Sequence, residues 1–416
     1  MRGRKNPGAK PILDLSRLCT GKEYQSMTTI TQSEWNDLVQ IRRELHAHPE
    51  LSGQEFKTMD RNCAWLDQWD IPYQKGVADT GVVATLKGGK PGRCVGVRAD
   101  IDALPIQEEN TDLPYRSLTP KVMHACGHDV HTTIALGTAK KLREMLPELS
   151  GTVKFFFQPN EEDTGGAERM IQAGCLDDPH VDCIVGLHVD PAYPAGTVGI
   201  RYGKMYAASD MLKLKVYGGS SHGAKPHQGT DAIITTAAIL MTLQTLVSRN
   251  TSPTDSVVCS FGTIHGGNVR NQIADYVEAE GILRTVDPNT RQSSKARLQQ
   301  LCSDVAAGMG ARAELSIQES YGPLINTDQI TDVVRKNAEE LLGCDHVVLE
   351  KEPDLGTEDF SYFAAARPSC FFHLGCAPSD GSPVECLHNC RFNVDEACIA
   401  TGVNMQLKNV LSLLTL

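Results

Sequence analysis

Short apolar runs of strand length alternate with helix-length periodic segments through the first half of this sequence, and that alternation limits the fold more than any other feature. The runs Gly81–Leu86, Arg93–Ile101, Thr152–Phe157 and Cys183–Val189 are dominated by apolar residues. Strands apolar on both faces must be covered on both faces, so the pattern predicts an α/β sheet flanked by helices. An opening helix carries Leu38, Ile41 and Leu45 at helical spacing from Trp35 until Pro49 stops it. Further helices are predicted near 130–146 and 167–173.

The order changes after Gly203. Strand, helix, strand, strand, helix and strand are predicted in turn over Met211–Tyr217, Asp231–Val247, Ser256–Ile264, Tyr276–Arg284, Arg291–Met309 and Ala313–Glu319. This β-α-β-β-α-β order is the ferredoxin-like α+β unit, which closes on itself as a small domain. A helix over Asp328–Leu342, a strand over Ser369–Leu374 and a helix over Asp395–Leu413 then resume the first pattern. At 416 residues the chain exceeds one ordinary core. The expected organisation is a discontinuous domain, 27–203 and 321–416, interrupted by an inserted domain, 204–320. Residues 1–26 begin with basic residues and are broken by Asp14, Ser16 and Arg17, so they do not read as a signal peptide; they read as a disordered extension or an upstream mis-assigned start, with a transit peptide as a third reading.

A net charge of -11 without a long basic run leaves a phosphate backbone little to hold and argues against nucleic acid as a partner. No continuous run of about 18 apolar residues offers a membrane span. Fourteen cysteines without regular spacing in a long chain read as reduced thiols, which suits the cytoplasm.

The densest chemistry is Met123-His-Ala-Cys-Gly-His-Asp-Val-His131 ahead of a helix. Cys126 and His128 flank a glycine, so a thiolate and an imidazole can face one ion from an irregular loop. Alone, a Cys-x-His pair is more often a buried thiol beside a helix start; three histidines around it favour metal. Glu161 and Glu162 follow an apolar strand, where α/β sheets place ligands, and either could bind metal or move protons. His188 and His388 each end an apolar run. Together Cys126, His128, Glu162, His188 and His388 supply donors for a two-metal cluster. Asp100 is expected to orient a ligand imidazole from behind. In the inserted domain His222 and Asn271 sit in glycine-containing loops and can donate to a carbonyl oxygen or carboxylate, and Arg284 is a candidate anion fork.

Read together, Arg43-Glu-Leu-His-Ala-His-Pro-Glu50, Arg98-Ala-Asp-Ile-Asp-Ala-Leu-Pro105, His124-Ala-Cys-Gly-His-Asp129, Glu161-Glu162, Gly186-Leu-His188, Ser221-His-Gly-Ala-Lys-Pro-His227, Gly356-Thr-Glu-Asp-Phe360 and Leu387-His388 resemble the M20 metallopeptidases. The likeness is to the branch of aminoacylases, hippurate hydrolases and auxin-conjugate hydrolases, from about Trp35 to the C-terminus. The resemblance implies a zinc-peptidase-like catalytic domain with an inserted lid that mediates homodimerisation. It implies two divalent ions (zinc or manganese, with cobalt able to substitute) on Cys126, His128, Glu162, His188 and His388, and Glu161 as general base. It makes His222 and Asn271 lid residues, with His222 reaching the partner subunit's active site. Val130, Lys225 and Ala274 depart from residues common in that branch, and Lys225 bears on substrate preference. The activity implied is hydrolysis of small N-acyl amino acids. Rival readings are a hydrolase with Cys126 as nucleophile, a dipeptidase of the same family, and a non-catalytic binding homologue.

Overall fold

The computed structural model describes residues 29–416, so the extension expected over residues 1–26 lies outside the described residues. In chain order the first elements are α1 (Gln32–Ala47), α2 (Phe56–Gln68), β1 (Tyr73–Val77), β2 (Gly81–Lys87), β3 (Lys90–Asp100), α3 (His128–Glu144), β4 (Ser150–Gln158), α4 (Ala167–Gln172), β5 (Cys183–Pro194) and β6 (Val198–Ile200). There follow β7 (Gly203–Tyr206), β8 (Ala208–Tyr217), α5 (Ala232–Leu243), β9 (Val257–Gly266), β10 (Tyr276–Thr285), α6 (Pro288–Gly308), β11 (Arg312–Glu319) and β12 (Leu324–Asn326). The chain ends with α7 (Asp328–Leu342), β13 (Val347–Leu349), α8 (Phe360–Ala366), β14 (Ser369–Ala377) and α9 (Ala397–Leu413).

Two compact units result. One holds the described residues up to Arg201 with Thr327–Glu350 and Arg367–Leu416; the other holds Tyr202–Asn326 and Lys351–Ala366. The segment 351–366 is thus in the second unit, whereas the sequence pattern assigns it to the first domain. The reason is backbone hydrogen bonding: Asp354 N donates to the Met205 carbonyl (2.8 Å), and Ala207 N donates to the carbonyls of Asp354 (3.0 Å) and Gly356 (3.1 Å). No apolar period marks such a return in the sequence.

In the first unit eight strands lie in the order β1-β2-β4-β3-β5-β14-β6-β13. β3 runs parallel to β4 on one side and to β5 on the other. β4 follows β3 on one side and the connection from β4 crosses to β5 on the other, a reversal of strand order that opens a crevice at the carboxyl ends of these strands. Phe155, Phe156 and Phe157 of β4 are all buried, as a centrally placed strand covered on both faces requires. α3 buries most of its circumference and packs against α1 and α9.

α1 starts at Thr31, whose side chain accepts from Glu34 N while Glu34 accepts from Thr31 N, a reciprocal cap. Its inner face carries Arg42 and His46 beside Leu38, Ile41 and Leu45. Both polar residues are held by Asp129 at the start of α3: Arg42 Nε lies 2.8 Å and His46 Nδ1 2.8 Å from Asp129 Oδ2.

The second unit has the expected β-α-β-β-α-β order, with its sheet ordered β11-β8-β10-β9. α5 and α6 pack on the face bearing Leu212, Leu214, Val216, Ala279 and Leu283. By length and composition, Ala232–Asn250 could cross a membrane, with a mean hydropathy of 1.4. Its Thr235, Thr236, Ile239, Leu243 and Leu246 are nevertheless buried in the unit's own core, and Ile233, Ile234, Met241 and Val247 are exposed.

Candidate metal centre

Three histidines meet a thiol at the carboxyl ends of the central strands. Gly127 makes the loop possible: its φ is +84°, and a Cβ there would meet Val189 Cγ2 at 2.4 Å. That left-handed glycine starts α3 and turns Cys126 and His128 into one space. His128 Nδ1 lies 3.0 Å from the Asp102 carbonyl, which can only accept, so Nδ1 carries a proton and Nε2 is the nitrogen turned towards the cluster. His188 Nδ1 donates likewise to the Val189 carbonyl (2.8 Å), leaving Nε2 bare 3.4 Å from Cys126 Sγ. His388 N is fixed on the Ala125 carbonyl, and His388 Nε2 lies 3.2 Å from the same sulfur.

Glu162 closes the ring. Its Oε1 is 3.2 Å from His388 Nε2 and 3.8 Å from His128 Nε2. Neither His128 Nε2 nor Glu162 Oε1, both buried, makes a well-aligned hydrogen bond. Donors bound tetrahedrally at ordinary metal distances stand about 3.4–3.7 Å apart, so these spacings fit a shared cation. Glu161 is also buried, and its carboxylate gathers with His128 and Glu162 within 4.8 Å. The five ligand candidates and the candidate base are therefore brought together.

Electrostatics point the same way. Burial pushes the Cys126 thiol well above its ordinary range, and Glu162 and Glu161 push it further. Burial opposes a charge on His128, yet Asp100, Asp102 and Glu162 raise it to about 10. His188 is held well below its usual value, chiefly by burial and then by His131. With Asp100, Asp102 and Glu162 around His128 the pocket favours positive charge, and a bound cation would convert the thiol to thiolate outright.

Asp100 does not stand behind a ligand imidazole as expected. Its Oδ1 meets His131 Nδ1 at 2.6 Å and its Oδ2 meets Arg98 Nη1 at 2.6 Å, while His128 Nε2 is 3.7 Å away. The carboxylate at His128 Nδ1 is Asp102, at 3.2 Å. Asp100 and Asp102 are two apart at a strand end, so alternation puts both on one side, a signal the sequence carried. His131 has both ring nitrogens engaged, Nε2 accepting from Val189 N at 2.9 Å, which makes it a support and not a ligand. Asn160 and His388 have φ of +59° and +64°, a conformation costly for residues other than glycine and concentrated at functional sites.

His222, Asn271 and Arg284 belong to the second unit. His222 and Asn271 are neighbours: Gly223 N donates to the Asn271 carbonyl at 2.8 Å. The exposed His222 accepts from Ala224 N on Nδ1 (3.1 Å), which places its proton on Nε2. Arg284 ends β10 half-buried, with Nη1 lacking a hydrogen-bond partner.

The family described as peptidase family M20/M25/M40 matches residues 96–411. The "Probable hydrolase sll0100" of Synechocystis is 41% identical over 88% of this chain and 93% of its own. The N-acetyl-L-cysteine deacetylase of Bacillus subtilis is 37% identical over 92% of this chain and 89% of its own. A solved dinuclear metal-binding peptidase of family M20 from Bacillus subtilis superposes with a TM-score of 0.81 at 32% identity, covering 92% of this chain and 99% of that one. With donors, fold and relatives in agreement, this chain belongs to peptidase family M20/M25/M40 and is an amide-bond hydrolase.

Proposed function

We propose that the chain cleaves small N-acyl or N-aroyl amino acids to a carboxylate and a free amino acid. Cys126, His128, Glu162, His188 and His388 would hold two divalent metal ions per chain. The observation that carries this reading is the convergence of these five donors, with His128 Nε2 and Glu162 Oε1 buried and without a hydrogen-bond partner and Glu161 beside them. The ions, when bound, lower the pKa of water and polarise a carbonyl oxygen. Glu161 takes the proton of the attacking water and returns it to the leaving amine. His222, with its proton on Nε2, donates to the carbonyl oxygen as negative charge develops, across a homodimer formed through the inserted domain. Asn271 and Arg284 hold the substrate's polar end.

The homodimer is supported by β9, which among the described residues pairs only with β10, and by the exposed Ile233, Ile234, Met241, Val247 and Ile264. A thiolate donor favours zinc, with manganese and cobalt as alternatives. The reduced thiols suit the cytoplasm. A nucleophilic Cys126 is disfavoured, because burial and two carboxylates keep the thiol protonated. Amine release from N-acetyl, N-benzoyl, N-fatty-acyl and aminobenzoyl-glutamate substrates, beside a dipeptide panel, tests the proposal. Chelator-sensitive, metal-restored cleavage of the acyl substrates is expected; dipeptides as the better substrates would move the assignment to dipeptidase, and chelator-insensitive turnover would refute it.

A further inference from the structure

Glu161 is flanked by two backbone amides, and each is held by a buried carboxylate. On one side Asn160 N donates to Glu55 Oε1 at 2.9 Å; on the other Glu162 N donates to Asp102 Oδ2 at 3.0 Å. Both carboxylates are governed by one short stretch between α1 and α2. Ser52 Oγ donates to Asp102 Oδ2 at 2.7 Å, and Glu55 itself is fully buried. Glu55 Oε1 also accepts from Gly53 N (2.8 Å), and Oε2 from Thr80 Oγ1 (2.6 Å). The grip falls on Asn160, whose φ of +59° must be held in place for the chain to turn from β4 towards the centre. Asp102 also supports His128, so its loss would disturb metal binding directly; Glu55 bonds none of the five ligand candidates.

We propose that Glu55 is a positioning residue for Glu161: by fixing the left-handed Asn160 it sets where the proton-carrying carboxylate stands, without taking part in metal binding. This rests on the reading of Glu161 as the proton carrier. A carboxylate displaced by about 1 Å from its working position costs on the order of 10²-fold in rate. Glu55→Ala frees Asn160 N, so kcat should fall by about that factor with two metals still bound and KM within about threefold. Glu55→Gln keeps an oxygen for Asn160 N and should restore kcat to within about threefold of the parent. Glu55→Asp shortens the reach by one methylene and should give an intermediate loss; it carries the test if Glu55→Ala does not fold. Thr80→Val removes only the Oε2 partner and should lower thermal stability with kcat nearly unchanged.

Combination with Glu161→Gln separates this proposal from the reading beneath it. If Glu55 acts through Glu161, adding Glu55→Ala to Glu161→Gln lowers kcat no further. Additive losses would overturn the positioning role, as would normal kcat in both Glu55→Ala and Glu55→Asp, loss of metal in step with rate, or an equal kcat loss in Thr80→Val. Full activity in Glu161→Gln alone would instead remove the proton-carrier reading, whatever Glu55 does.

Discussion

Cys126 carries the heaviest chemical load of any single residue, since its sulfur faces both His188 and His388. Replacing it by alanine should remove metal and turnover together; two equivalents retained per chain by elemental analysis, with normal rate, would show the ligand set to be wrong. Asp129 acts next to it by clasping Arg42 and His46. Burial works against its charge, but Arg42 and then His46 hold its pKa well below the usual carboxylate range. A depressed folded pKa gives stability that is complete above the ordinary value of about 3.9 and is lost as pH falls towards the native one. Asp129→Asn leaves Arg42 with only the longer carboxylate contact, to Glu396 (3.4 Å), and should cost at most about 3–5 kcal/mol near neutral pH, with a flatter acid limb, by denaturant titration at a series of pH values. Most ligand candidates were legible as residue types because Cys, His and Glu at several strand ends and one helix start add up to a donor set, although each alone has an ordinary reading. Asp102 was not singled out despite its spacing from Asp100, and Ser52 and Glu55 gave no signal, because their partners, the Asp102 carboxylate and Asn160 N, are brought near only by folding.

Elements with a clear period came through, and those too short or too masked by polar residues to show one did not. α7 occupies the predicted Asp328–Leu342, and β8 to β11 follow the predicted order. α2 was overlooked although Met59, Cys63 and Leu66 mark one buried face, because polar residues between them mask the run. β6, β12 and β13 have three residues each, too few for a period to show. The junction between Cys126 and α3 depends on backbone freedom at Gly127. Gly127→Ala adds about 1–2 kcal/mol for the left-handed backbone before any collision with Val189 is counted. A lower melting temperature together with reduced metal content is expected; unchanged values of both would mean that the loop accepts a side chain, and that its glycine does not set the ligand geometry.

Assembly and catalysis bear on the chain as a unit. Sedimentation should show a homodimer, and Ile264→Asp with Met241→Asp should shift it towards monomer, since both residues are exposed and apolar in the inserted domain. A parent chain that is monomeric and fully active would contradict the dimer. The division of labour between Glu161 and Glu162 is tested most directly by turnover against added metal in Glu161→Gln and Glu162→Gln, with bound metal counted in each. Glu161→Gln keeps shape but loses basicity, so it should bind both metals and lose at least about 10²–10⁴-fold in kcat, with no rescue by excess metal. Glu162→Gln should lose metal first and recover part of its rate as metal is added. Restoration of Glu161→Gln by metal, or a Glu162→Gln that keeps its metals and loses only rate, would contradict the assignment and exchange the two roles.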